Sequence, residues 1–170
     1  ISNGGFETGT GTTNANFSVT GWALTTPAAA TVVSIDTVNP YSGSQCIKIF
    51  VDTLNSNNGI RTDLAIPIIV IPDTTYIFSA YVKSDTAGQL QIQFRDGPSA
   101  GSNVVQTDGT TWNSIATFQS INTTTSYVQY IFMFTTSSSQ TQLFIYDFKR
   151  TGNSNQANRT FRIDDVSIYG

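Results

Sequence analysis

The chain has 170 residues, with 11% charged residues, a formal net charge of −3, no histidine and one cysteine. A chain of this length is typical of one domain with a substantial hydrophobic core. The scarcity of Lys and Arg argues against nucleic-acid partners, because affinity for nucleic acid depends on clustered basic side chains. The lack of histidine excludes Ser-His-Asp triads and zinc centres with histidine ligands. We expect neither kind of catalytic site.

The longest apolar stretch is IPIIVIP at 66–72, which is interrupted by prolines near both ends. It is far shorter than the roughly 20 residues that a membrane-spanning helix requires. We therefore expect no contact with a membrane.

Alternation of apolar and polar residues predicts a series of strands, and no helical stripe is longer than about a turn. In chain order the longer predicted strands are ATVVSID (30–36), QCIKIFV (45–51), IRTDLAI (60–66), TYIFSAYVKS (75–84), QLQIQFRD (89–96), SYVQYIFMF (126–134), QLFIYDF (142–148) and FRIDDVSIY (161–169). Short strands are expected around Phe6 and Trp22. This number of strands, without a repeat or a linker, predicts one all-β domain over residues 1–170. The expected architecture is a jelly-roll sandwich of two antiparallel sheets.

One face of the predicted strand 89–96 is polar. Successive side chains of a strand point to opposite faces, so its apolar residues enter the core while its Gln and Arg side chains face outward. The same argument places an aromatic, Tyr81, on a polar face. Aromatic rings beside planar amide and guanidinium groups are suited to neutral glycans, which present both C–H patches and hydroxyls. The predicted ligand face comprises Tyr81, Gln91, Gln93 and Arg95, extended by Arg61 and Asp63 on a neighbouring strand. The alternative is an ordinary solvated face.

The strand QLFIYDF permits two registers. Either Phe144, Tyr146 and Phe148 fill the core, or Leu143 and Ile145 do and the aromatic side chains, including Tyr146, line a cleft. The general tendency of aromatic side chains to be buried favours the core register.

Six segments along the chain occur in an order that points to a known family. They are NGGFE (3–7), GW (21–22), YSGSQCIKI (41–49), TYIFSAYVKS (75–84), SYVQYIFMFT (126–135) and FRIDDVSI (161–168). In this order they resemble the carbohydrate-binding modules of the family 4/9/22 type, and the resemblance covers essentially the whole chain. It implies a β-jelly roll that binds polysaccharide.

The resemblance also implies a structural calcium ion that joins the first strand, an early turn and the last strand. The implied ligands are the carbonyls of Gly5, Ser42 and Gln45, the carboxylate of Glu7, and both the carbonyl and the carboxylate of Asp164. Such oxygen donors are the ligands that calcium takes in proteins. Alternation places Asp165 on the opposite side of the strand from Asp164, facing solvent or bonding a neighbouring turn. The alternative is that Glu7 and Asp164 are solvated or turn-capping carboxylates.

The two tryptophans are predicted to have different roles. By position, Trp112 matches an aromatic platform at the cleft edge in the family, and it follows a polar loop. The alternative for Trp112 is a loop anchor folded onto the sheet. Trp22 lies in the family's early GW pair and is expected to pack in the core.

The leading interpretation is a noncatalytic module of a larger extracellular polysaccharide-degrading protein, which keeps an attached enzyme on its substrate. We expect a monomer that binds plant, algal or microbial polysaccharide, with xylan and β-glucan as first candidates. The second interpretation is a structural or adhesive domain of a surface or tail-fibre protein. A third is a glycosidase, which needs two carboxyl groups about 5 to 9.5 Å apart. Asp63 and Asp96 are the only outward pair that we can place near the ligand face, and each is expected to end a strand or cap a turn.

Overall fold

The structure is a computed structural model that describes residues 1, 3–25, 32–51, 59–99, 101–150 and 158–170. The described secondary structure is almost entirely β, with one short 3₁₀ turn at Asn14–Asn16. In chain order the strands are β1 (Gly9–Thr10), β2 (Ser18–Val19), β3 (Trp22–Leu24), β4 (Val32–Asp36), β5 (Cys46–Val51), β6 (Gly59–Thr62), β7 (Ile68–Ile69), β8 (Thr75–Ser84), β9 (Gly88–Arg95), β10 (Val104–Val105), β11 (Trp112–Asn113), β12 (Gln119–Thr123), β13 (Val128–Thr135), β14 (Gln142–Arg150) and β15 (Arg159–Tyr169).

These strands form two sheets, and every described pairing is antiparallel. The large sheet has the order β1-β2-β3-β6-β14-β9-β10-β11, with β12 also pairing β9 and β7 pairing β14. The small sheet has the order β13-β8-β15-β5-β4. Two sheets with antiparallel pairings confirm the predicted sandwich of two antiparallel sheets. Several neighbouring strands, such as β6 and β14 or β5 and β15, are distant in the chain.

The hydrophobic core lies between the inner faces of the two sheets. On β9 the side chains of Leu90, Ile92 and Phe94 are fully buried, and β8 contributes a matching row from the other sheet. The rings of Phe78 and Phe94 meet edge to face across the interior, with centroids 5.0 Å apart. Burying an aromatic ring of this kind stabilises a fold by about 1.5 to 3 kcal/mol. The alternation in both segments therefore predicted the inner face correctly.

The predicted strands differ from the observed ones mainly at their ends. The strand predicted at 60–66 ends at Thr62, because Asp63 begins a turn in which its Oδ1 accepts the Ala65 N–H at 2.9 Å. No strand surrounds Phe6, whose positive φ of 58° belongs to a turn. Residues 30 and 31 of the first predicted strand lie outside the described residues. β12 was not predicted, because SINT has too few apolar residues to show an alternation.

In the part of the chain that the structure describes, no helix has the length and apolar character needed to cross a membrane.

Candidate functional site

The outer face of the large sheet carries a tyrosine between two arginines. Tyr146 on β14 is paired with Gln93 on β9, and Phe144 is paired with Arg95, so all four side chains share this face. The Arg95 guanidinium lies 3.7 Å from the centroid of the Tyr146 ring, which is a close cation–π contact. Arg61 approaches the same ring at 5.8 Å. The two cations and the ring therefore form one unit in the middle of the face.

A bulge in β14 explains how Tyr146 reaches this face. The pairing of β14 with β9 shifts between Tyr146 and Lys149. Before the shift Leu143 and Ile145 fill the core, and after it Phe148 does. The favoured core register is therefore wrong for Phe144 and Tyr146 and right for Phe148, since an inserted residue reverses the side of every residue that follows.

Arg61 also lines an open groove beside this unit. The groove has a volume of about 590 Å³ and runs over β2, β3 and the start of the turn after β6. Its wall includes Phe17, Ala23, Arg61, Asp63 and Ile66. Ala23 is paired with Arg61, so the two side chains lie side by side in the groove wall. The face thus combines a groove with the Tyr146 unit at its edge, and the predicted members Arg61, Asp63, Gln93, Arg95 and Tyr146 lie on it together.

The predicted polar row on β9 is more buried than alternation suggests. Gln93 is 1% exposed and Arg95 is 9% exposed, while Gln91 is half-buried. The Gln93 amide donates to the Thr117 carbonyl at 3.2 Å, and Arg95 donates to Gln93 Oε1 at 2.5 Å and to the Ser99 carbonyl at 3.3 Å. Loops from two parts of the chain therefore close over the outer end of β9, so Gln93 and Arg95 of the predicted ligand face are less accessible than the alternation indicates.

Tyr81 does not belong to the groove. It lies on β8 in the small sheet, where its ring stacks on Tyr41 with centroids 3.6 Å apart. The prediction that Tyr81 extends the β9 row is wrong, because consecutive strands β8 and β9 enter different sheets and their outer faces point away from each other. A second cation–π pair, Lys83 over Tyr127 at 4.8 Å, lies on the same strand's face.

Trp112 is not placed as a platform over the ligand face. It pairs with Val105, whose side chain is fully buried in the core, so Trp112 points to the inner side of the large sheet. Its indole N–H donates to the Thr135 carbonyl at 2.7 Å, and its ring meets Phe134 edge to face. The side chain anchors the edge of the large sheet to β13. This is the alternative interpretation of Trp112, a loop anchor folded onto the sheet. Trp22 is 4% exposed and packs on Phe6, as predicted.

Two loop segments meet the bulge of β15, and we call this region the loop cluster: residues 3–7, 41–45 and 164–166. The Val166 N–H donates to the Gly4 carbonyl at 2.9 Å, and the Gln45 amide donates to the Phe6 and Gly9 carbonyls. A Cβ at Gly4 would overlap the Val166 carbonyl, so only glycine fits there. The segments that the resemblance brings together around a calcium ion are thus adjacent.

The two adjacent aspartates of the last strand both face the loop 41–45. Asp164 is fully buried and its Oδ2 accepts the N–H groups of Tyr41 and Ser42 at 2.8 and 3.1 Å. Asp165 accepts the Ser42 hydroxyl at 2.8 Å, so it bonds a neighbouring turn as predicted. Strict alternation fails here, because β15 shifts register after Asp164 and Asp165 has a φ of 45°. Burial raises the pKa of the Asp164 carboxyl to about 6.

Glu7 reaches the same loop from the N-terminal segment. Its carboxylate accepts the Ser44 hydroxyl and the Ser44 N–H, and the hydroxyl hydrogen bond lowers the pKa of Glu7. Gly43 has a φ of 61°, and a Cβ at this position would overlap the carboxylate. Within the described residues, none of the acidic side chains of the loop cluster forms an ion pair with Lys or Arg.

The donors of the loop cluster are of the type that calcium prefers. Carboxylate oxygens and backbone carbonyls are hard ligands, and among the described residues Glu7, Asp164 and Asp165 form no ion pair with Lys or Arg. The described part of the chain has no group of three or more Asp, Glu, His or Cys side chains placed to hold a metal. A calcium ion here would therefore take several ligands from backbone carbonyls, which agrees in kind with the set of Gly5, Glu7, Ser42, Gln45 and Asp164.

The two carboxylates considered for glycosidase chemistry are both used in turns. Asp63 caps the turn after β6 through the Ala65 N–H. Asp96 accepts both the backbone N–H and the side-chain amide of Asn103 at 2.8 Å. These are the strand-end and turn positions expected for them.

Sequence reasoning missed some of the groove residues. Phe17 and Ile66 line the groove, and both come from turn-rich segments without an alternation that fixes their direction. The only local signal at Phe17 is a lone aromatic in the polar run TTNANFSVT.

Comparison with known proteins agrees with this architecture. Residues 1–153 match the model of a family described as "Carbohydrate binding domain". The chain belongs to this carbohydrate-binding family. The match covers most of the 170 residues and includes the segments that form the groove and the Tyr146 unit. Among curated protein sequences, no significant match to the carbohydrate-binding domain is found.

Solved structures of related modules share the fold of this carbohydrate-binding domain at low sequence identity. A structure titled "CBM4 structure and function" has a TM-score of 0.60 at 16% identity, covering 99% of this chain and 97% of the other. The CBM22-1 xylan-binding domain of Xyn10C from Paenibacillus barcinonensis has a TM-score of 0.53 at 16% identity, covering 87% and 84%. The enzymatically active domain of tailspike protein 4 from bacteriophage CBA120 has a TM-score of 0.56 at 14% identity, covering 99% of this chain and 21% of that chain.

Proposed function

We propose that this carbohydrate-binding domain is a noncatalytic module that holds a polysaccharide chain across the outer face of its large sheet. The observation that carries the proposal is the groove of about 590 Å³ with Arg61 at its edge and the Arg61–Tyr146–Arg95 unit beside it. Planar guanidinium and amide groups donate hydrogen bonds to sugar hydroxyls, and aromatic side chains meet their C–H faces. Such a face suits an extended chain better than an enclosed small molecule.

Xylan and β-glucan are the first candidates for the bound chain. The groove is open at the surface, so it admits an internal segment of a polymer, and the fold is shared with a module whose title calls it xylan-binding. The polysaccharide chain would cross β3, β6, β14 and β9 in turn, because these strands are neighbours in that order in the large sheet.

The noncatalytic assignment rests on how the acidic side chains are used. Asp63 and Asp96 are each held by turn hydrogen bonds, and Asp63 lines the groove whereas Asp96 does not, so the two do not flank it as a general acid and a nucleophile would. We infer that the module acts as a monomer within a larger extracellular protein, where it raises the local concentration of an attached enzyme on its substrate.

Calcium is proposed as a structural ion in the loop cluster. Gly5, Glu7, Ser42, Gln45 and Asp164 would hold it through carboxylate and carbonyl oxygens. Three non-glycine residues with positive φ meet in this region, namely Asn3, Phe6 and Asp165. Backbone conformations of this kind cost energy and persist only where the surroundings fix them, as a bound ion would.

Affinity gel electrophoresis tests the proposed function directly. The domain is run through gels that contain xylan, mixed-linkage β-glucan, mannan, pectin or alginate, each with calcium and with a chelator. Retardation on at least one polysaccharide supports the proposal. Unretarded migration on all of them, for a protein that remains folded, would contradict it.

A structural or adhesive role is the second candidate, favoured by the shared fold within a bacteriophage tailspike domain. Under this alternative the sandwich and the loop cluster are kept and no sugar is bound. The same gels separate the two candidates, and tandem copies of the domain in the parent protein would favour the structural one.

A further inference from the structure

Among the described residues, neither arginine of the candidate site has an acidic partner. Arg61 donates from Nε to the Leu24 carbonyl at 3.2 Å, and its buried Nη1 has no hydrogen-bond partner in the described chain. Arg95 donates to the Gln93 amide oxygen and the Ser99 carbonyl. The one ion pair among the described residues is Arg162–Asp36 on the small sheet, at 2.6 Å. Within the described chain, the positive charges of Arg61 and Arg95 are therefore met by neutral dipoles and the Tyr146 ring.

This arrangement is costly without a ligand. A guanidinium group remains charged at every accessible pH, and a partly desolvated charge without a counter-charge is unfavourable. A buried donor without a partner adds a penalty of about 1 to 3 kcal/mol. A bound anion on the groove side of Arg61 would provide the missing counter-charge.

The aromatic ring of the site is also not a free platform. The Arg95 guanidinium at 3.7 Å covers one side of the Tyr146 ring, so a ligand approaching from that side meets a cation before it meets the ring. Asp63, the acidic residue of the groove wall, has one carboxylate oxygen engaged by the Ala65 N–H. The described side chains of the site thus carry two unpaired cations and one anion, on a protein whose net charge is −3.

The geometry points to a polysaccharide whose sugar rings carry carboxylates, with Arg61 in the groove wall as the group that binds those carboxylates and the more buried Arg95 adding positive charge behind the Tyr146 ring. This inference rests on the proposed function and narrows its substrate class to uronate-bearing chains, such as a xylan substituted with glucuronic acid. The planar fork of a guanidinium matches the two oxygens of a carboxylate, which a hydroxyl does not. Because the protein as a whole is acidic, general attraction to polyanions does not explain such binding.

The test compares one polysaccharide in two chemical forms. Glucuronoxylan is used as isolated and after reduction of its carboxyl groups to alcohols, which leaves the backbone unchanged. We expect the domain to bind the native form roughly tenfold to a hundredfold more tightly, the effect of a charge-assisted hydrogen bond. We expect Arg61→Gln to remove most of this difference, so that the ratio of the two affinities falls towards one whatever the variant does to binding of the reduced form.

The matched control is Lys83→Gln, which removes the same charge from the outer face of the small sheet. This variant should keep the preference of the parent domain for the native form. Arg61→Lys should retain part of the preference, and thermal melts establish that every variant is folded. Should Arg61→Gln fail to fold, the comparison of native with reduced glucuronoxylan on the parent domain still decides the inference.

The outcomes separate the inference from the proposed function. Equal affinity for native and reduced glucuronoxylan would overturn the inference and leave polysaccharide binding intact. Absence of binding to both forms, and to every polysaccharide of the affinity gels, would overturn the proposed function itself. The last arm of the test uses a sulfated polysaccharide with the same neutral backbone as the reduced xylan. If the domain binds this sulfated chain as tightly as native glucuronoxylan, the inferred selectivity for carboxylate is wrong.

Discussion

The groove face and the loop cluster are opposite in charge. The groove face holds the guanidinium groups of Arg61 and Arg95 without an acidic partner, and the loop cluster holds the carboxylates of Glu7, Asp164 and Asp165 without a basic one. In both regions the charged groups bond to neutral backbone or side-chain dipoles of the described chain. Elsewhere Arg162 and Asp36 pair directly at 2.6 Å.

The difference shows which partner each region would select. Groups that are held in place by neutral dipoles keep their charge available, so the groove face favours anions and the loop cluster favours cations. The two regions lie on different parts of the sandwich, and a change in one should leave the other intact. The following predictions test that independence, beginning with the largest expected effect.

Asp164→Ala should cost about 3 kcal/mol or more of unfolding free energy in calcium-free buffer. The substitution removes a buried carboxylate that accepts the N–H groups of Tyr41, Ser42 and Asp165, and hydrogen bonds to charged groups contribute about 1.5 to 3 kcal/mol each. Chemical denaturation measures the change. Ser42→Ala is the control, because it removes only the hydroxyl bond to Asp165 and should cost about 1 kcal/mol. Equal losses for the two variants would contradict the central role of Asp164.

Calcium removal should lower the melting temperature and leave the groove intact. By linkage, calcium at a hundred times its dissociation constant stabilises the folded state by about 2.7 kcal/mol. Differential scanning calorimetry with a chelator, followed by calcium and then by magnesium, measures the shift. Affinity for polysaccharide should be the same in both conditions below the melting transition. If the melting temperature does not change after loss of the ion is verified, the calcium proposal is wrong.

Trp112→Ala should lower stability by about 2 kcal/mol without changing polysaccharide affinity. Fully buried tryptophans cost about 3 to 5 kcal/mol on truncation, and Trp112 is half-buried with one hydrogen bond to Thr135. The residue lies outside both charged regions, so neither ligand should sense its loss. A selective fall in polysaccharide affinity, with unchanged melting, would restore the platform role that sequence position implies.

Tyr146→Ala should weaken polysaccharide binding by about 1 to 2 kcal/mol, the lower part of the range for a central aromatic contact. The ring positions Arg95 and Arg61, so its loss disturbs both cations at once. Isothermal titration calorimetry gives the affinity. Tyr127→Ala is the matched control, since Tyr127 also lies under a cation, Lys83, but on the small sheet. Comparable losses in both variants would mean that the groove face is not the binding surface.

Much of the candidate site could be predicted from residue type and alternation. Gln93, Arg95 and Arg61 were placed on an outer face because local period-2 patterning decides the side on which a strand residue lies. Their burial could not be predicted, since it depends on Ser99 and Thr117, which come from loops elsewhere in the chain. Tyr81 was assigned to the wrong surface, because alternation says nothing about which sheet a strand joins.

The all-β class, the inner faces of β8 and β9 and the residue types available for ligands could be predicted before the fold was known. These properties depend on composition and on neighbours two residues apart, which are readable along one strand, while the burial of Trp22 was implied by the family resemblance. Long-range strand pairing, in contrast, sets the bulges of β14 and β15, the exit of Tyr146 from the core, the packing of Trp112 against it, and the orientation of Asp164 and Asp165 towards one loop. Each of these depends on pairing between strands far apart in the chain, and a single inserted residue in such a pairing reverses the direction of every side chain beyond it.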